Sequence, residues 1–174
     1  YTIDSHVGIG ATYVTDLGDS AVTIGAGYSA VEGSSTLTQP SSDEGGMHIG
    51  ISAVTGDLTV AVGFADGNSV EAQATAGTLN TEVDGDVVKA GVKYVTGDLT
   101  FNVGVTSGTG KDSHTLGTAG TTEDSYDSTS ASVSYAVASG VTAYLGYTDV
   151  DSSNEGVNDT TDGSAWYIGA NMSF

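Results

Sequence analysis

The feature that most constrains this chain is a strict alternation of apolar and small polar residues, interrupted about every forty residues by a Gly/Asp turn. The hexapeptide Val-Thr-Gly-Asp-Leu-Thr occurs at Val54–Thr59 and again at Val95–Thr100, and related turns occupy Val14–Ser20 and Val137–Thr142. A Gly/Asp turn between two alternating segments predicts a β-hairpin. Long polar stretches separate these hairpins, so short and long connections alternate along the chain.

The pattern predicts nine strands, each joined to the next by a hairpin. Because successive side chains of a strand point to opposite faces, each segment sorts into an apolar and a polar face. In the last segment Trp166, Ile168, Ala170, Met172 and Phe174 share one face, opposite Tyr167, Gly169, Asn171 and Ser173. The predicted strands span residues 2–14, 21–30, 47–55, 58–66, 86–95, 98–107, 129–138, 141–149 and 164–174.

Composition narrows the class of protein. The chain has 26 glycines, one proline and no cysteine, which favours an all-β structure and excludes disulfide and thiolate chemistry. No segment approaches the roughly 18 consecutive apolar residues of a membrane-spanning helix. The net charge of −19, with three lysines and no arginine, argues against a nucleic-acid partner. No GxSxG or similar motif indicates an enzyme.

Aromatic residues recur at two heights on the apolar face, near its two ends. Interfacial aromatic girdles of this kind are typical of transmembrane β-barrels, whereas a soluble sandwich scatters its aromatics through the core. The polar face carries Gly, Ser and Thr rather than many charges, as a hydrated lumen would. A propeller would need four strands per repeat, and each repeat here supplies two. The predicted girdle residues are Tyr13, Tyr28, Phe64, Tyr94, Tyr135, Tyr147, Trp166 and Phe174.

The sequence therefore predicts an antiparallel up-and-down transmembrane β-barrel, with residues 1–174 forming one barrel domain or the C-terminal part of one. Nine is an odd number, whereas complete bacterial barrels have even strand numbers. Two interpretations follow. Either about seven strands precede Tyr1, or the chain is a complete small barrel of eight or ten strands. The first is favoured.

The ending Trp166–Phe174 resembles the last strand of Gram-negative outer-membrane porins, which ends in Phe. The Thr-Gly-Asp turns and acidic, Gly-rich loops resemble general porins of the alphaproteobacterial type. This resemblance implies a sixteen-stranded, homotrimeric barrel, integral to the outer membrane, that passes small hydrophilic solutes. It also implies contact with membrane lipid and lipopolysaccharide, and reading of the last strand by the barrel-assembly machinery. The arginine cluster and constriction loop of that family have no counterpart here.

Two functions remain open: a passive diffusion channel, and a non-porous barrel that serves as a structural anchor or as an adhesin through its acidic loops. In a channel, the predicted pore-lining residues either tune ion selectivity or lie on a hydrated wall far from any constriction. Those residues are His6, His48, Lys89, Lys93, Asn102 and Asn171.

Acidic residues concentrate in the long-loop half of the chain. All 22 belong to that half except Asp4, Asp16, Asp19, Asp57 and Asp98. A negative mouth predicts a weak preference for cations at low salt. No resident cofactor is predicted. Asp149, Asp151 and Glu155 are weak candidates for a loop-bound Ca²⁺ or Mg²⁺, against the simpler interpretation of solvated surface charge.

Overall fold

Nine antiparallel strands form the whole of the regular structure in the computed structural model, which describes residues 2–34, 41–72, 81–112, 122–153 and 160–173. They lie in one sheet in chain order, each strand paired with its sequence neighbours. The predicted strand number and up-and-down order are confirmed. The strands are β1 (Thr2–Leu17), β2 (Ser20–Ser34), β3 (Ser41–Thr55), β4 (Leu58–Ala72), β5 (Thr81–Thr96), β6 (Leu99–Asp112), β7 (Thr122–Ala138), β8 (Val141–Ser153) and β9 (Thr160–Met172).

The four tight turns are two-residue connections at the predicted sites. Gly18, Gly56 and Gly97 each take the first turn position with φ between 55° and 64°, a left-handed conformation that glycine adopts without a Cβ penalty. The fourth turn differs, because Gly140 is its second residue, with φ of 75°, and the register of β7 shifts between Ala136 and Ala138. A glycine therefore marks each of the four reversals, followed by Asp in the first three turns and preceded by Ser139 in the fourth.

The long polar stretches were predicted as loops, and that prediction is wrong for much of their length. The sheet has a turn side, where the two-residue turns join the strands, and a loop side, where the long polar stretches join them. From β2 to β9 the strand ends on the turn side agree with the predicted limits to within two residues, whereas the ends on the loop side extend four to seven residues further. β5, for example, starts at Thr81 rather than at residue 86. The ladder joins backbone groups and needs no apolar side chain, so it continues where the apolar alternation has ended.

Register places directly opposite residues on the same face, which defines two faces for the entire sheet. The apolar face carries, in one row across five strands, Val60, Val92, Val103, Ala131 and Tyr147. Among the described residues Val22 is the one apolar side chain that is buried. The sheet therefore has no folded core of its own, and both of its faces are open to their surroundings.

No helix in the described part of the chain is long and apolar enough to cross a membrane.

Candidate functional site: the polar face of the sheet

Glycines line much of the polar face and lie directly opposite one another across neighbouring strands. Gly46, Gly67, Gly85 and Gly110 form one such row over β3, β4, β5 and β6. A second row brings Gly91 of β5 opposite Gly104 of β6. Without side chains these positions leave the wall thin, so the few larger residues on this face stand out from it.

All six predicted pore-lining residues lie on the polar face, but they do not form one cluster. They are spread over β1, β3, β5, β6 and β9. Lys93 lies opposite Asn102, whose Nδ2 donates a hydrogen bond to Ser132 Oγ at 3.3 Å. The His48 ring lies over Gly27, where a side chain would collide with it. His6 lies opposite Val31, and Asn171 lies opposite Thr142.

Two tyrosines on the polar face were not predicted as site residues. Tyr144 lies directly opposite Gly169, and Tyr167 directly opposite Gly146, so each ring covers the glycine of the other strand. The ring centroids are 6.2 Å apart at an interplanar angle of 56°. The alternation places Tyr167 on this face. Its contact with Gly146 depends on the register between β8 and β9, which the sequence pattern left unspecified.

The predicted girdle residues in the described part of the chain lie on the apolar face, and Phe174 lies outside the described residues. Tyr13, Tyr94 and Tyr135 occupy the turn side, together with Phe101, which lies opposite Tyr94 and was not predicted as a girdle residue. The loop-side members are Tyr28, Phe64, Tyr147 and Trp166.

Tyr147 and Trp166 pack against each other, with ring centroids 4.7 Å apart. Tyr147 also donates its hydroxyl hydrogen to Asp149 Oδ2 at 2.8 Å. Tyr147 therefore contacts both an aromatic residue at the loop-side end of the apolar band and a carboxylate that lies beyond it on the same face.

Carboxylates replace apolar side chains on the same face just beyond the loop-side aromatics. Asp66 lies two residues beyond Phe64 and directly opposite Asp86. On this side of the sheet, the carboxylates whose side chains the structure describes are Glu32, Asp66, Asp84, Asp86, Glu123, Asp127, Asp149, Asp151 and Asp162. Asp127, Asp151 and Asp162 form a directly opposed row over three strands. Glu44 and Asp124 lie on the polar face in the loop-side half, and Asp4 stands at the β-bulge of β1, where no register position assigns it to a face.

That placement bears on two predictions. The predicted cation preference depends on carboxylates around the mouth of a channel. Most of the described carboxylates lie instead on the apolar face, the outer side of a barrel, so the prediction stays untested. For the metal hypothesis, Asp149 and Asp151 lie on the outer side and Glu155 lies outside the described residues. Within the described ranges, no three His, Cys, Asp or Glu side chains come together as a metal-binding group.

The third lysine lies on the opposite face from Lys89 and Lys93. Lys111 of β6 is on the outer side, where its Nζ lies 3.3 Å from Glu123 Oε2 in an exposed ion pair. Exposed pairs of this kind contribute about 0–1 kcal/mol to stability. The two faces therefore carry different charges: Lys89 and Lys93, which form no ion pair within the described residues, lie on the polar face, and most of the described carboxylates lie on the outer one.

A single sheet with an aromatic-bounded apolar face and a glycine-lined polar face defines an integral outer-membrane β-barrel protein. The sequence matches the family model of the Gram-negative porins over residues 1–155. The chain belongs to the Gram-negative porin family. Comparison with curated protein sequences gave no significant match.

Solved structures of outer-membrane proteins share the fold. The chain is similar to OmpT of Vibrio cholerae, with a TM-score of 0.63 and 15% identity over 96% of this chain and 56% of that one. It is also similar to the alcaligin outer-membrane receptor FauA of Bordetella pertussis, with a TM-score of 0.52 and 11% identity over 97% of this chain and 33% of that one. The chain thus spans about half of OmpT and a third of FauA, and the likeness concerns the fold alone.

Proposed function

We propose that the polar face of this sheet lines a water-filled channel through which ions and small hydrophilic solutes diffuse passively. The observation that carries the proposal is the division between the two faces. The outer face carries aliphatic residues, which suit contact with lipid chains, and aromatic residues at its two ends, which suit the membrane–water interfaces. The inner one carries Gly, Ser, Thr and Asn, which hydrate well and leave space. The proposed role is transport without catalysis.

A channel requires a closed wall, and the nine described strands form an open sheet. Within the described residues β1 and β9 each pair along one edge only. Their outward side chains are correspondingly bare: Ile9 of β1 is 73% exposed and Ile168 of β9 is 84% exposed, compared with 48% for Ile51 of β3. Unpaired backbone groups in hydrocarbon cost several kcal/mol each. We therefore propose that the nine strands are an arc of a larger closed barrel, consistent with the share of OmpT that the chain spans, and that sixteen strands complete it.

The proposed partners follow from the outer face. Its apolar and aromatic residues contact membrane lipid, and the carboxylate level beyond Phe64 and Tyr147 faces the headgroups of lipopolysaccharide. The last strand, whose outward residues include Trp166, Ile168 and Met172, is the segment for recognition by the assembly machinery. A homotrimer is the proposed assembly.

The decisive experiment is single-channel recording of the refolded protein in a planar lipid bilayer. We expect stepwise ohmic conductance, with steps in groups of three if the channel inserts as a trimer. Chemical crosslinking in detergent checks the subunit number independently. Stable insertion without conductance would overturn the channel and favour the non-porous barrel, whose function would then lie in its acidic loops.

Cysteine labelling tests which face is wet before any channel is recorded. Thr106→Cys on the polar face should react with a membrane-impermeant thiol reagent in protein reconstituted into lipid vesicles. Val105→Cys, its neighbour on the outer face, should be protected by lipid. The 174 residues contain no cysteine, so each substitution introduces the one thiol of this part of the barrel. Equal labelling of both would contradict the assignment of faces.

A further inference from the structure

The polar face holds a depression of about 340 Å³ in the middle of the sheet, between β4 and β7. Two neighbouring rows of residues form it. One row contains Ala61, Gly91, Gly104 and Ser130; the next contains Gly63, Lys89 and Thr106. Three glycines thus make its floor, and one cation with two hydroxyls provides its polar groups.

The glycines are what open this space. A Cβ built on Gly63 would come no closer than 3.7 Å to Ile49 O, and one on Gly91 no closer than 3.4 Å to Val103 O. Larger residues would therefore fit the backbone here, but they would fill the volume beside Lys89. Ser130 Oγ reaches toward Gly104 O at 3.5 Å, a weak contact that leaves the hydroxyl able to turn to a ligand.

The charge around the depression is positive, although the chain as a whole carries −19. Lys89 is exposed, and no described carboxylate forms an ion pair with it. Among the polar-face carboxylates whose side chains the structure describes, Asp16, Glu44 and Asp124 lie two or more strands from β5. Lys93 follows Lys89 four residues along the same strand and on the same face, roughly 13 Å away at about 3.3 Å per residue. A low-dielectric wall focuses such a local field.

We propose that the depression around Lys89 is a binding subsite for small oxyanions such as phosphate and carboxylates. Lysine serves as a point charge for these anions, and hydroxyl groups donate hydrogen bonds to their oxygens. Lys93 lies along the same face and extends the positive surface for anions that enter or leave. The proposal rests on the proposed channel, since it gives that channel a local preference for anions within an acidic protein.

Binding is measured first without any channel, by titrating phosphate into the refolded protein in detergent and following ³¹P NMR line broadening. Three variants remove one feature each. Lys89→Gln removes the charge in the depression, and Lys111→Gln removes an identical charge from the outer side. Gly91→Val keeps the charges but fills the floor. A difference in migration between unheated and boiled samples in electrophoresis checks that each variant folds.

We expect Lys89→Gln to weaken phosphate binding at least fivefold, Gly91→Val to weaken it severalfold, and Lys111→Gln to leave it unchanged. In bilayers, phosphate should then block chloride current through the wild-type channel but not through the Lys89→Gln variant. Equal binding by the wild type and Lys89→Gln, or an equal loss in Lys111→Gln, would overturn the subsite. If binding behaves as expected while no conductance is seen, the subsite stands and the proposed channel fails.

Discussion

The turn-side and loop-side halves of the same strands form one continuous ladder but face different surroundings. On β4 the outer face changes from Leu58, Val60, Val62 and Phe64 to Asp66 within a single alternation step. The backbone pairing of β4 with β3 and β5 continues across that boundary without a register shift. The comparison shows that alternation of apolar and polar side chains indicates whether hydrocarbon or water surrounds a strand, whereas the extent of the strand itself is set by backbone hydrogen bonding.

The largest expected difference between the halves comes from a charge on the outer face. Val103→Arg places a cation in the middle of the apolar band and should lower the free energy of unfolding by about 2–4 kcal/mol, against about 0–1 kcal/mol for Ser107→Arg beyond it on the same strand. Guanidinium unfolding in lipid vesicles, followed by the fluorescence of Trp166, measures both. Similar losses in the two variants would show that lipid does not cover this half.

The second-largest expected difference between the two halves comes from backbone conformation at glycine positions. Gly97→Ala forces an alanine into a left-handed turn with φ of 55° and should cost roughly 1–2 kcal/mol. Gly110→Ala, at the loop side of β6, the strand that follows this turn, adds a Cβ whose nearest neighbour is Asp124 Cβ at 3.9 Å, so little change is expected. Both variants are compared with the wild type by the same unfolding titration. A loss in Gly110→Ala as large as that in Gly97→Ala would contradict this account of the turn.

A smaller effect is expected where tyrosines cover glycines. Gly169→Ala should displace the Tyr144 ring and cost about 1 kcal/mol, near the lower end for overpacking because a ring can swing away. Gly163→Ala on the same strand and face meets nothing within 4 Å and serves as the control. In a Tyr144→Ala background the cost of Gly169→Ala should vanish, and a double-mutant cycle measures that coupling. An unchanged cost would show that the ring contact is not the cause.

The smallest effect is a gain in stability. Asp127 lies directly opposite Asp151, and like charges opposite one another on adjacent strands are destabilising. Asp127→Asn should therefore raise the free energy of unfolding by about 0.2–1 kcal/mol at neutral pH and low salt, and less at high salt because ions screen exposed charges. Asp16→Asn is the control, since Asp16 lies opposite Ala21. A gain that persists at high salt would argue against repulsion as its source.

Much of the fold could be predicted from the sequence. Glycine and aspartate mark the tight turns, and the period of two assigns Lys89 and Lys93 to one face and Val88 and Val92 to the other. The loop-side strand ends could not be predicted, because polar residues such as Asp84 and Asp127 pair through their backbones as readily as apolar ones do. For the same reason, the pattern assigned most of the acidic residues to loops and could not predict that many of them lie on the outer face of the sheet.

Within the candidate site, the sequence placed six residues on the polar face but said nothing about which of them lie near one another. Contacts between strands depend on register, which brings residues far apart in the chain into one row. Lys89 belongs to a depression only because register sets it between Gly63 and Thr106 and beside Gly91 and Gly104. Tyr144 covers Gly169 for the same reason.

The sequence by itself determined the number of strands, their order, their turns and the side of the sheet to which each residue of the predicted strands belongs, because these follow from local backbone preference and the two-residue period. The tertiary structure decided where the ladder ends, which glycines and large side chains meet, and where opposed carboxylates and the lysine-bearing depression lie. These features arise from hydrogen bonding between strands, which aligns residues that no local pattern connects.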